Sequence, residues 1–146
     1  MRTVLPLELI DIQLDGYHLF VPVRVGRKKG RFLVDSGASR TVFDEDQLKK
    51  LVPKVKLEAM DRLSTGLGSS SVSGSVVKIA TLGLGRLKLL AYEAIVLDLS
   101  HVNESYKVLG MPAIDGVLGS DLLMKYCAVL DYGKKKLTLK EKIKKP

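Results

Sequence analysis

The residues best suited to chemistry in this chain are an aspartate and the small residues that follow it. The apolar run 32–34 leads directly into Asp35. Small residues come next: Ser36, Gly37, Ala38 and Ser39. A carboxylate at the end of a buried strand costs free energy unless it is hydrogen-bonded, and small residues allow a sharp turn that aims backbone N–H groups at it. The pattern predicts a rigid, partly buried acid, and such acids more often have a chemical role than a structural one.

A second stretch, further along the chain, has two apolar residues before a glycine. Val117 and Leu118 precede Gly119, and a short helix is predicted to follow. Together with Asp35-Ser36-Gly37-Ala38, this stretch resembles the two signatures of the retropepsin-like aspartic proteases. The stretch 17–25 is similar to the strand before the acid in bacterial members, and the resemblance covers roughly residues 17–140. The alternative is an acid that only caps a turn, since Asp-Ser-Gly alone is common in loops.

The resemblance implies peptide hydrolysis by a pair of carboxylates. An ionised acid takes a proton from water while a protonated one polarises the carbonyl, and two carboxylates ~3 Å apart share one proton. The chain has a single Asp-Ser-Gly, which implies a homodimer with one Asp35 from each subunit. Asp115 and Asp121 are the nearest rivals for a second acid. The first lacks the hydroxyl and glycine that should follow, and the second falls in a helix start.

The resemblance also implies roles for the residues around the acid. Ser36 would hydrogen-bond across to the partner chain, and Gly37 would help to hold the acid pair coplanar. The implied substrate-binding positions are Ala38, Ser39, Val117, Leu118 and Gly119. A peptide-covering flap is implied within 64–74, with Gly66, Leu67 and Gly68 among its residues. An ordinary loose loop is the alternative for this segment, because small polar residues usually form loops.

Two positions depart from the retroviral pattern. Ser120 stands where retroviral members usually have an arginine, and Ser39 stands where they have its acidic partner. The termini of the chain differ as well. We therefore expect the dimer to be braced differently. Asp121 stands where bacterial-type relatives often have an acid.

Composition predicts one globular domain over 1–146, with its core within 17–140 and a basic tail over 141–146. The chain has 146 residues, of which 46% are hydrophobic and 27% charged. The single cysteine, Cys127, excludes an internal disulfide, suits a reducing compartment and is predicted to be a small core residue. Neither a secretory signal nor a membrane span is predicted, so we expect a cytoplasmic protein without a membrane partner.

The net charge of +8 raises the alternative of a small basic barrel that binds RNA. Much of the excess lies near the C-terminus, where aromatic residues that could stack on bases are lacking. We therefore do not expect a nucleic-acid partner. His18 and His101 have no ligand-spaced neighbours, so each is predicted to be a surface or strand residue, and no metal or other cofactor is expected.

Short alternating runs of apolar and polar residues predict a mainly β fold. With the resemblance, this indicates a small closed acid-protease barrel with one or two short helices, acting as a dimer. Leu19, Val21, Val23 and Val25 share one strand face, and Pro22 places that strand at an edge on one side. Further strands are predicted over 31–34, 76–82, 87–97, 128–131 and 136–139. Helices are predicted over 44–51 and 120–126, the second capped by Ser120.

These features together predict an aspartic endopeptidase that acts on a peptide or protein substrate. The proposed water is activated between two Asp35 carboxylates of a homodimer. The alternative is a non-catalytic dimeric module of the same fold that binds peptides or supports assembly, because a fold does not guarantee its chemistry.

Overall fold

The computed structural model describes residues 1–12, 16–59 and 74–142. Its elements are, in chain order, β1 (Arg2–Pro6), β2 (Glu8–Ile12), β3 (Gly16–Val25), β4 (Lys28–Val34), β5 (Val42–Asp44), α1 (Glu45–Leu51), β6 (Glu58–Ala59), β7 (Ser75–Leu84), β8 (Leu87–Leu97), α2 (Ser100–Val108), β9 (Gly116–Leu118), α3 (Ser120–Lys125), β10 (Val129–Asp131) and β11 (Lys136–Lys140). The predicted flap residues Gly66, Leu67 and Gly68 lie outside the described residues.

Six strands close into a barrel in the order β3-β4-β9-β5-β8-β7. The ring is closed where β3 pairs with β7, with Arg24 opposite Gly83 and Val25 opposite Leu82. Strands β2 and β6 extend the sheet, and β1, β11 and β10 form a separate three-stranded sheet. The predicted mainly β fold with a small closed barrel is therefore confirmed.

The alternation in β3 explains why this strand lies in the barrel wall. Its predicted inner face is buried in the main core: Leu19, Val21, Val23 and Val25. Phe20, on the other face, is also buried and belongs to a second cluster with Tyr106, Ile114 and Val117. The pairing of β2 ends at Phe20 and that of β7 begins at Arg24, so one edge of β3 is unpaired around Pro22. A residue without an N–H donor fits that edge.

The helices differ from the prediction in two places. In α1, the side chain of Asp44 accepts a hydrogen bond from the N–H of Gln47, and this cap begins the helix close to its predicted start. In α3, Gly119 occupies the cap position and no side chain caps the helix, so the predicted Ser120 cap is wrong. Helix α2 was not predicted, and Tyr106 is its single buried residue.

The chain ends meet in the small sheet. Strand β1 pairs with β11 of the same chain along its whole length, and β10 covers the other side of β11. Cys127, between α3 and β10, is exposed and has φ +49°, so its predicted core position is wrong. The chain reverses direction here, and its neighbour Tyr126 fills the core instead. Among the described residues, no helix has the length and apolar character to cross a membrane.

Candidate active site

Strand β9 runs between the two strands that flank the predicted acid. It pairs in parallel with β4, with Leu118 opposite Val34, and antiparallel with β5, with Val117 opposite Val42. The loop 35–41 joins β4 to β5, so it must cross the end of β9. This topology brings together the two signatures that lie far apart in the sequence.

Asp35 lies at the start of this loop, held by its own turn. Its Oδ1 accepts a hydrogen bond of 2.9 Å from the N–H of Gly37. Its N–H donates to the carbonyl of Leu118 at 3.0 Å, and its carbonyl accepts from Ala38 at 3.1 Å. The side chain is exposed, so the predicted partial burial is wrong for the single chain. The apolar strand ends at Val34, and the turn holds the carboxylate outside the barrel, where water can reach it.

The loop 35–41 is attached to the second signature by a buried hydroxyl. Thr41 is 2% exposed, and its Oγ1 accepts a 2.9 Å hydrogen bond from the N–H of Gly119. The same hydroxyl donates to Asp121 Oδ1 at 2.7 Å. Ser120 adds a further bond, from its N–H to the carbonyl of Ala38 at 2.7 Å. We call these bonds between 38–41 and 119–121 the Thr41 brace.

The Thr41 brace depends on a close backbone approach at Gly119. A Cβ at this position would lie 2.6 Å from both the carbonyl carbon and the carbonyl oxygen of Arg40. Thr41 was not predicted as a site residue. The available signals were the apolar strand directly after it and the acid at Asp121, but the sequence does not show that the two meet.

The carboxylates of both rival acids are engaged by other groups. The carboxylate of Asp121 is engaged by Thr41 and by the N–H of Leu122. It also contributes, after burial as the main cause, to raising the pKa of Tyr92 to about 12, so that phenol stays protonated. Asp115 precedes the other end of β9, more than about 10 Å along the strand from Asp35. Burial raises the pKa of Asp115, and its Oδ2 accepts a 2.7 Å hydrogen bond from the N–H of Arg31.

The remaining predicted site residues fall into three groups. Ser36, Gly37 and Ser39 are exposed around the acid, and Ala38 is half-buried. Val117 and Leu118 are buried, in the second cluster and in the main core respectively. Their side chains support β9 from within, so contact with a substrate at these positions stays a prediction for the backbone. Gly119 is part of the Thr41 brace.

A cavity of about 270 Å³ lies beside the acid and includes a histidine that sequence reasoning left isolated. Its lining residues are Tyr17, His18, Leu19, Leu33, Val34 and Asp35. The Nδ1 atom of His18 lies 2.8 Å from the hydroxyl of Tyr106 on α2. Burial raises the pKa of Tyr106, the charge of Arg31 lowers it, and the charge of Asp35 raises it. The His18–Tyr106 pair therefore lies in the electrostatic field of Asp35. Within the described ranges, no cluster of His, Cys, Asp and Glu could hold a metal ion.

Comparison with known proteins identifies a family that the sequence matches and solved structures to which the chain is similar. The sequence matches the family described as aspartyl protease over residues 21–122. No curated protein sequence gives a significant match. Among solved structures, the chain is similar to a retropepsin-like aspartic protease from Rickettsia conorii, with 22% identity, a TM-score of 0.55, and coverage of 95% of this chain and 90% of that one.

A second similar structure is the retroviral protease-like domain of Ddi1 from Leishmania major. The identity is 18% and the TM-score is 0.54, and the match covers 84% of this chain and 87% of that one. At these identities the two structures support the fold alone. Both are consistent with the closed barrel.

Proposed function

The chain belongs to the aspartyl protease family, and from this premise we propose that it is an aspartic endopeptidase that hydrolyses peptide bonds as a homodimer. Asp35 of each copy supplies one carboxylate of the catalytic pair. The observation that carries the proposal is the exposed Asp35 carboxylate on a turn fixed by Gly37 and by Leu118.

The proposed chemistry needs two carboxylates in different protonation states. The ionised one takes a proton from the attacking water, and the protonated one donates a hydrogen bond to the scissile carbonyl oxygen. The tetrahedral intermediate then collapses with the proton passed to the leaving amine. The hydrogen bond from the N–H of Gly37 holds one oxygen of the Asp35 carboxylate in place.

The proposal of a second copy is supported by the contacts of the two rival acids. Asp115 is held by Arg31 at the other end of β9, and the carboxylate of Asp121 is engaged by Thr41. A two-fold axis close to Asp35 would bring the second carboxylate from a partner and place the exposed Ser36 at the contact, as predicted. Since β1 already pairs with β11 within the chain, we expect the dimer to form without exchange of these terminal strands.

Cleavage of a peptide library by the purified protein tests the enzymatic part. We expect cleavage that a statine-type isostere inhibits, because the hydroxyl of the isostere occupies the position of the attacking water. Cleavage that chelators block and the isostere does not would contradict the proposal. A dimer that binds peptides, with no cleavage under any condition, would support the non-catalytic module instead.

A subunit-mixing experiment tests the shared site. Wild-type protein is mixed with an equal amount of the Asp35→Asn variant and allowed to exchange subunits. Random pairing puts about half of the wild-type chains into mixed dimers, so activity per wild-type chain should fall to about half. Mixing with Asp115→Asn, whose carboxyl lies away from the proposed pair, is the control and should cause no loss. Undiminished activity in the first mixture would show that one chain is sufficient.

A further inference from the structure

One ring nitrogen of His18 is engaged in a hydrogen bond within the chain, and the other is available for a hydrogen bond to a ligand. Its ring is half-buried and meets Tyr106 edge to face, with the ring centroids 5.8 Å apart. Tyr106 is 3% exposed and also packs edge to face against Phe20. Through the buried ring of Tyr106, helix α2 therefore packs against the His18 ring and supports it.

The burial of Tyr106 sets the direction of its hydrogen bond to His18. A buried hydroxyl that does not donate pays the full cost of losing water. Among the described residues, His18 Nδ1 is the acceptor within reach of this hydroxyl, at 2.8 Å. With Nδ1 accepting, the neutral imidazole carries its proton on Nε2. The Nε2 atom makes no hydrogen bond to any described residue, so this donor is available to a ligand.

The rest of the cavity has both polar and apolar groups in its lining. Leu33 and Tyr17 line it together with Leu19 and Val34, whose side chains are largely buried in the main core, and Asp35 marks the side where the scissile bond would lie. A volume of about 270 Å³ accommodates a side chain, since one water molecule takes about 30 Å³. The available donor of His18, beside the apolar Leu33, fits a substrate side chain with an aliphatic stem that ends in an oxygen acceptor.

We propose that His18 is a specificity-determining residue, which donates a hydrogen bond from Nε2 to a glutamine or glutamate side chain of the peptide substrate in the cavity beside Asp35. This proposal rests on the proposed function. It adds a preference for particular substrate side chains, which depends on the contact between His18 on β3 and Tyr106 on α2.

Matched peptides that differ at one position test the preference. Gln, Glu and the apolar Met, which has a similar length, are placed in turn at each position near the scissile bond. At one position, we expect wild-type kcat/KM to favour Gln and Glu over Met about tenfold more than His18→Leu does, which corresponds to one hydrogen bond of about 1.4 kcal/mol. The change should fall on KM with kcat nearly constant, because the proposed hydrogen bond holds the substrate side chain equally in the bound substrate and in the transition state.

His101→Leu is the matched control, because His101 is exposed on α2 and outside the cavity. It should keep the wild-type profile. The same profile in His18→Leu would overturn the proposal, and so would a loss that is equal for Gln and Met peptides.

A binding measurement tests the proposal without a substitution at His18 and without catalytic activity. In the Asp35→Asn variant, the imidazole ¹⁵N signal of His18 Nε2 should shift on addition of the Gln peptide and stay in place with the Met peptide, while His101 serves as the internal reference. Equal responses to both peptides would contradict the proposal. If the wild-type protein cleaves no peptide, the endopeptidase proposal fails, and this measurement still decides the role of His18.

Discussion

Asp35 and Asp115 lie at opposite ends of the parallel strands β4 and β9, and the surroundings of the two acids differ. Asp35 follows β4 and is exposed, with one hydrogen bond from Gly37 to its carboxylate. Asp115 precedes β9 and is half-buried, with its carboxylate held by Arg31 and its carbonyl accepting from the N–H of Asp44. The first acid is open to a ligand, and the second connects strands.

The difference teaches that position on a strand does not decide what a carboxylate does. Both acids adjoin a buried apolar strand with glycine nearby, and the sequence offers both as candidates. What separates them is how much of each side chain the tertiary structure covers. Burial disfavours the charged form at Asp115, whose pKa is raised, whereas Asp35 stays in contact with water.

Substitution of each acid by asparagine gives the largest expected contrast. Asp35→Asn should reduce kcat by about 10³-fold, since the amide cannot take a proton from water. Asp115→Asn should leave kcat within about twofold, because its position is remote from the proposed pair and the amide oxygen still accepts from Arg31. Peptide cleavage with both purified variants, each checked for folding by circular dichroism, measures this. Comparable losses in the two would remove the distinction.

A methyl group at Gly119 should disrupt the Asp35 end of the strand pair. The backbone of Gly119 is extended, at φ −99° and ψ 179°, so the obstacle is space and not conformation. The added Cβ of Gly119→Ala meets the backbone of Arg40, and we expect a loss of about 3 kcal/mol or more in the free energy of unfolding. Gly133→Ala is the control, since its Cβ has 3.6 Å to its nearest neighbour. Urea unfolding of both variants checks the result, and equal midpoints would argue against a tight crossing.

Removal of the Thr41 hydroxyl should weaken the same end by a smaller amount. Thr41→Val keeps the shape but leaves the N–H of Gly119 without its partner and removes one of the two hydrogen bonds to the carboxylate of Asp121. Unsatisfied buried groups cost about 1–3 kcal/mol, and we expect a loss in this range together with reduced cleavage. Thr41→Ser keeps the hydroxyl and should recover most of both. Thermal unfolding and cleavage rates measured on the two variants decide whether the brace positions the loop.

Stability as a function of pH should show the smallest effect, at the Asp115 end. Because burial raises the pKa of Asp115, the stability that its protonated form contributes is present below the ordinary value of 3.8 and is lost as pH rises through the folded-state pKa. Asp115→Asn should therefore melt slightly above wild type at pH 7, and the gain should vanish below pH 3.8.

Asp98→Asn is the control of opposite sign. Hydrogen bonds from Ser100 lower the pKa of Asp98, so its contribution is present above 3.8 and is lost as pH falls through the folded-state pKa. This variant should melt slightly below wild type at pH 7. Calorimetry at pH 3 and pH 7 distinguishes the two cases, and shifts of the same sign would show that burial does not govern Asp115.

Local sequence patterns predicted the strands and helices whose formation depends on residues close together in the chain. The alternation of Leu19, Val21, Val23 and Val25 indicated a barrel strand, and the charge distribution of 45–50 indicated α1. Helix α2 and strand β1 were missed, since one has a single buried residue and the other is stabilised by pairing with β11. Cys127 was misplaced because its exposure depends on the direction in which the chain leaves α3.

By itself, the sequence determined the turn residues that hold the candidate acid and the second apolar-glycine stretch, because each of these is a local requirement of backbone geometry and small side chains. Only the tertiary structure decided that Asp35 is exposed while Asp115 is half-buried, that Thr41 meets Asp121, and that His18 meets Tyr106 beside the acid. These contacts join residues that are remote in sequence. Strand pairing around a closed barrel brings them together, and no local pattern encodes which strands become neighbours.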